Sequence, residues 1–115
     1  MPIQSVPPIA AGYSYRVRLQ VTGEDPVFPV GCRLRAQVRP YVGSPDVAGT
    51  LTTENGGITR IDDSTVELDL PESLTGNIGN DAAWLDLARA DLDPDEWIPV
   101  QIKLPVVVPV TEPEA

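Results

Sequence analysis

Hydrophobic and polar residues alternate with a period of two along most of this chain, and that rhythm predicts strands. In "YSYRVRLQVT", Tyr15, Val17, Leu19 and Val21 fall on one face and Ser14, Arg16, Arg18 and Gln20 on the other, the signature of a half-buried strand. The same pattern returns in "CRLRAQVR", where Cys32, Leu34, Ala36 and Val38 point inward and Arg33, Arg35, Gln37 and Arg39 outward. "VAGTLTT" is a weaker strand because Gly49 interrupts it. In "GITRIDDSTVELDL", two β-prone runs meet at Asp62-Asp63-Ser64, residues whose side chains bond their own backbone and favour turns. Val66, Leu68 and Leu70 then face in, while Glu67 and Asp69 face out. Four carboxylates within eight residues are thereby explained as two turn residues and two solvent-side strand residues.

Punctuation fills the gaps. "GEDPVFPVG" and "YVGSPD" read as loops, Asn55-Gly56 supplies the positive φ of a tight turn, and "PESLTGNIGN" is a long connection with one helical turn starting at Pro71. "AAWLDLARADL" has the length of three helical turns, but the strands around it favour β. "DPDE" is a turn, and "WIPVQIKLPVVVPV" is a last strand. Prolines at 99, 105 and 109 would remove ladder donors from a central strand, so part of this run is an edge strand or an arm. The count is about seven strands with a turn signal every 8–12 residues. It predicts an all-β fold, an immunoglobulin-like antiparallel β-sandwich over residues 13–104. Pro-rich extended arms are expected at 1–12 and 105–115. No Cys…Trp…Cys arrangement of a true immunoglobulin domain is present.

Composition narrows the function classes. A chain of 115 residues forms one domain with one modest core, and thirteen prolines and nine glycines argue against long helices. A net charge of −9 repels nucleic acid and anionic membranes. The first residues, "MPIQSVPPIAAGYSY", show neither a basic region nor an unbroken apolar run, so neither a signal peptide nor a membrane span is expected. The single cysteine, Cys32, excludes an internal disulfide, fits a reducing compartment and reads as a small core residue.

The absence of histidine removes Ser-His-Asp and Cys-His catalysis and most zinc sites. A Ser-Lys pair would have to use Lys103, the only lysine, and no oxyanion loop accompanies it. Asp91, Asp93 and Asp95 alternate as calcium ligands do, but Glu96 and Ile102 stand where a calcium loop needs Gly and Glu. No cofactor, metal or catalytic residue is assigned.

The arginines carry more information. Arg16, Arg18, Arg33, Arg35 and Arg39 are five of the eight basic residues and lie on the outward faces of two successive strands. If those strands pair, their outer face is a basic patch on an acidic body. Two readings stay open: neutralisation by the cross-strand acids Glu67 and Asp69, or a docking face for an acidic neighbour such as another copy of the chain. Nucleic acid is excluded because no aromatics interleave with the patch. In the C-terminal arm, Val106, Val107, Val108 and Val110 are the candidate contacts. A different class of function, a carbohydrate-binding module for host polysaccharide, would use Trp84 and Trp97 as stacking platforms.

"FPVGCRLRAQVR", then "GGITRIDDSTVELDLPESLTGNI", "AWLDLAR" and a closing "VPVT", together resemble the immunoglobulin-like N-terminal module of baseplate upper proteins of tailed phages and of short prophage virion proteins. The likeness covers most of residues 13–111, with "WLDL" in place of the usual aromatic-Asp-Leu entry. It implies a non-enzymatic virion protein, assembled in the bacterial host cytoplasm, whose partners are other virion proteins and copies of itself. A host glycan would be a weaker contact. Because no fibre part follows the module in this sequence, the resemblance favours an adaptor, connector or fibre-attachment role in the tail or baseplate. Capsid decoration or a head fibre is the alternative.

Overall fold

The computed structural model describes residues 7–21 and 26–111 of the chain. It is nearly all-β, as expected. Eight strands occur among the described residues: β1 (Ile9–Ala10), β2 (Tyr15–Gln20), β3 (Leu34–Arg39), β4 (Gly49–Thr52), β5 (Ile58–Asp62), β6 (Thr65–Leu70), β7 (Ala82–Arg89) and β8 (Glu96–Val107). One short helix, α1 (Glu72–Thr75), follows Pro71, whose fixed φ suits the start of a helical turn. The segment around Trp84 is the strand β7 rather than a helix.

The strands form a five-stranded sheet, β1-β8-β7-β3-β4, and a three-stranded sheet, β2-β6-β5. One hydrophobic core joins them. Leu34, Ala36 and Val38 of β3, Ala83, Leu85 and Leu87 of β7, and Leu51 of β4 reach it from the larger sheet. Val66, Leu68 and Leu70 of β6 and Ile58 of β5 reach it from the smaller one. The three inward residues of β6 are entirely removed from solvent, and each such side chain contributes about 1.5–3 kcal/mol of transfer free energy.

The five-residue run Ile58–Asp62 and the six-residue run Thr65–Leu70 pair antiparallel as the expected hairpin. Asp62 Oδ1 accepts the Ser64 backbone N–H at 2.9 Å, so the turn is closed by its own side chain. Asn55-Gly56 has the expected positive φ, +83° at Gly56, and Asn55 Oδ1 accepts the N–H groups of Thr52 and Gly57. This turn closes no hairpin, however: β4 and β5 lie in different sheets, and the turn carries the chain between them.

Pairing departs from the expectation in one consequential place. Strands β2 and β3 are successive but not neighbours: β2 pairs with β6, and β3 pairs with β4 and β7. The two strands lie in different sheets that share one core, so the outer faces of the two arginine-bearing strands lie on opposite sides of that core.

The two ends of the chain also differ from extended arms where they are described. Ile9–Ala10 form β1, which runs parallel to Val106–Val107, and Ile9 is fully buried. Thr75, itself fully buried, donates its hydroxyl to the Tyr13 carbonyl at 2.8 Å and accepts the Gly12 N–H at 3.1 Å, which pins this segment to α1. At the other end β8 continues through Pro105 to Val107. Proline is tolerated there because β1 covers only the last two residues of β8, leaving the rest of that side a free edge among the described residues. Pro99 falls in a bulge: Ile98 faces Leu87 and Gln101 faces Asp86, so residues 99 and 100 stand opposite no partner. Residues 1–6 and 112–115 of the expected arms lie outside the described residues.

Gly49, which weakens the strand pattern in sequence, has a packing role. A Cβ at this position would sit 2.6 Å from Leu74 Cγ, so the bare backbone lets α1 close over β4. Gly49→Ala is expected to destabilise the chain by about 1–3 kcal/mol in urea denaturation. In the Leu74→Ala background the same substitution is expected to cost much less, because the overlapping side chain is gone.

Candidate functional site

The expected arginine face is divided by the topology. Arg16 and Arg18 stand on the outer face of the three-stranded sheet, directly opposite Asp69 and Glu67 of β6. Arg16 Nε lies 3.4 Å from Glu67 Oε1 and its Nη2 3.3 Å from Asp69 Oδ2, and Arg18 Nε lies 3.2 Å from Glu67 Oε2. This is the cross-strand neutralisation that the orientation of the acids allows. Pairs exposed to this degree contribute at most about 1 kcal/mol each.

The other three arginines belong to the five-stranded sheet and its entry loop. Arg33 pairs with Glu54 at 2.6 Å, and that contact holds the Glu54 carboxyl below its ordinary range and raises the Arg33 guanidinium. Arg39 is half-buried and spends its donors on the Ser44 carbonyl at 2.6 Å and on Gln37 Oε1 at 2.9 Å. Arg35 is exposed and makes no ion pair among the described residues. The expected five-arginine face required β2 and β3 to pair; they lie in different sheets and do not pair, so that condition is not met.

The C-terminal valines separate as well. Val106 is 7% exposed and belongs to the core, so it is not available to a partner. Val107 is half-exposed, while Val108 and Val110 stand at 84% and 102% exposure, two positions apart. These two are the most exposed large aliphatic side chains of the described part. Isolated in water they gain nothing for folding, which makes them candidates for contact with another surface.

A complementary surface lies between the sheets. Among the described residues β2 is unpaired on one side, as is most of β8, and the two free edges flank a cleft of about 540 Å³ lined by Val17, Leu19, Leu68, Ile102 and Leu104, and by Arg18. Val17, Leu19 and Ile102 carry the inward orientation of core residues, yet they remain half-exposed. Alternation in the sequence identifies them as inward but cannot reveal that no strand covers them. The cleft becomes visible only once β2 and β8 are known to be edges.

On the outer face of the five-stranded sheet lies a smaller hollow of about 150 Å³ between β3, β7 and the loop after β3. Gln37, Tyr41, Trp84, Asp86 and Gln101 line it. Neither tryptophan is buried in the core: Trp84 is half-buried and Trp97 is 52% exposed. Lys103 Nζ lies 5.6 Å from the centre of the Trp84 ring, so one face of that ring already carries a cation. Trp97 donates its indole N–H to Asp86 Oδ2 at 2.9 Å.

Cys32 lies just before β3, packs against the core, and has its thiol pushed up chiefly by burial, the reverse of an activated nucleophile. No group of three metal-ligating side chains converges among the described residues, and Asp91 is instead tied to Arg89 through two contacts, 2.7 Å and 3.3 Å, and to the Arg33 N–H at 3.2 Å. No helix of the described residues is long and apolar enough to cross a membrane. Compared with known protein families, characterised proteins and solved structures, the chain matches none of them.

The Asp91 contacts lower its carboxyl pKa to about 2, with the Arg89 hydrogen bond the largest cause. A depressed carboxylate stabilises the fold above its unfolded pKa of about 3.9, and that stabilisation disappears as pH falls through the folded value. Side-chain NMR titration is expected to place the Asp91 midpoint about two units below a free aspartate. Asp91→Asn is expected to lower the urea midpoint at pH 6, and the difference from the parent chain should shrink below about pH 4 and vanish only as pH falls below the folded midpoint.

Proposed function

We propose that this chain is a non-enzymatic structural subunit of a tailed-phage or prophage-derived particle, serving as a tail or baseplate adaptor or fibre-attachment protein. The proposed fold type is an immunoglobulin-like sandwich, formed by the five- and three-stranded sheets around their common core. Capsid decoration is the alternative placement within the same class. In this reading the chain works by packing against its neighbours.

The observation that carries the reading is the pairing of an open apolar cleft with exposed aliphatic side chains in one small molecule. The cleft between the β2 and β8 edges is lined by Leu19, Ile102 and other aliphatics, and Val108 and Val110 project into solvent. A subunit that offers both an apolar acceptor and an apolar donor can join copies of itself or related modules in a fixed register. The donor valines are followed in sequence by Glu112 and Glu114, of opposite sign to Arg18 in the cleft lining. The hairpin "GGITRIDDSTVELDL", on which the phage resemblance rests, folds as β5 and β6 with Glu67 and Asp69 outward. The outward arginines matter less to this reading, since Arg16 and Arg18 are met by acids within the chain.

Removal of residues 105–115 would confuse docking with folding, because Val106 is a core residue. A chain ending at Val107 and the double variant Val108→Asp/Val110→Asp leave β8 whole. Both are expected to keep the parent melting temperature within a few degrees and to fall about tenfold or more in incorporation, measured by quantitative mass spectrometry of gradient-purified particles. Absence of the parent chain from such particles would overturn the assignment. Undiminished incorporation of the double variant would overturn the role of the valines.

A further inference from the structure

We propose that the outer face of the five-stranded sheet binds a single neutral pyranose ring in the hollow formed by Gln37, Tyr41, Trp84, Asp86 and Gln101. This inference is independent of the packing reading, because the hollow is on the far side of the sheet from the core and the cleft.

The chemistry begins with side chains that are already held in place. Arg39 Nη2 donates to Gln37 Oε1 at 2.9 Å, which fixes the Gln37 amide and leaves its NH₂ group free to donate. Trp97 Nε1 donates to Asp86 Oδ2 at 2.9 Å, which fixes the carboxylate and leaves Oδ1 as an acceptor. Gln101 stands opposite Asp86 in the ladder and adds an amide with both functions. Donors and acceptors on one sheet face, with Gln37 and Asp86 already held by hydrogen bonds, suit a ligand whose hydroxyl groups both give and accept hydrogen bonds, and holding these two in advance lowers the entropic cost of binding.

The wall is rigid too. The backbone N–H of Ser44, a residue 3% exposed, bonds the Tyr41 carbonyl at 3.1 Å, and Arg39 Nη1 bonds the Ser44 carbonyl at 2.6 Å. Tyr41, 53% exposed, and the half-buried Trp84 supply the aromatic surface of the hollow. Apolar ring C–H faces are matched by such aromatic surfaces. Size and charge select the ligand further. A volume of about 150 Å³ is that of a site for one six-membered ring. The free oxygen of Asp86, on a chain of net charge −9, disfavours a phosphate or uronate. Arg39 also lines the hollow, with Nη1 and Nη2 bonded to the neutral Ser44 carbonyl and Gln37 Oε1, so its charge balances that of Asp86 and the site suits an uncharged ligand.

The test is a ¹H–¹⁵N NMR titration of the full chain with methyl α-D-glucopyranoside, methyl α-D-mannopyranoside, methyl β-D-galactopyranoside and N-acetylglucosamine. At least one is expected to saturate with Kd near 1 mM, the affinity a ligand of that size reaches at ordinary efficiency. Shifts should centre on the Gln37 and Gln101 side-chain amides and the Trp84 indole. Gln37→Ala and Gln101→Ala are expected each to weaken binding about fivefold or more, and Val30→Ser, outside the hollow, should leave it unchanged. No saturation by any of the four sugars up to about 50 mM, far above the expected constant, overturns the proposal. So does unchanged affinity in both glutamine variants.

Discussion

Everything in this fold depends on strict alternation along β6. Val66, Leu68 and Leu70 are fully buried, and the residues between them, Glu67 and Asp69, stand outside against Arg18 and Arg16. A slip of one residue would drive two carboxylates into the core and three aliphatics into water. The penalty for burying a charge far exceeds the small gain from any surface ion pair. The outer ion pairs are therefore a consequence of the register, and the register is set by the aliphatic side. Because β6 is the middle strand of its sheet, the same constraint places β2 and β5 on either side of it and so fixes which edges remain free.

The alternation was legible in the sequence wherever one face of a strand meets the core. It located β2, β3 and β6, assigned their inward side chains, and offered Glu67 and Asp69 as one of two readings for the arginines; β7 was legible as a strand from the strands around it. Local chemistry was equally readable at the Asp62 and Asn55 turns and at Pro71. What alternation does not encode is which strands are neighbours. Tyr15–Gln20 and Leu34–Arg39 carry the same pattern and follow each other, yet the loop between them is long enough to change sheets. Sequence proximity therefore gave a basic patch where the structure has two separate arginine groups.

Prolines obscured the ends in a similar way. Ile9 and Val106 lie in segments whose proline content marks them as arms, but proline excludes only the centre of a sheet. Both residues are buried where a two-residue parallel pairing completes the five-stranded sheet. The candidate surfaces were the least legible parts. Leu19 and Ile102 read as core residues and lie at an open seam. Gln37, Asp86 and Gln101 read as ordinary solvent-side positions, and only the β3-β7-β8 order brings them together.

The parallel contact between Ile9–Ala10 and Val106–Val107 ties together residues nearly a full chain length apart. During synthesis Ile9–Ala10 leave the ribosome well before Val106–Val107 and must wait for that partner. Loop-closure entropy of this kind slows folding and delays completion of the sheet. Until then Ile9, a side chain with no exposed surface in the finished fold, remains open to solvent and to other nascent chains.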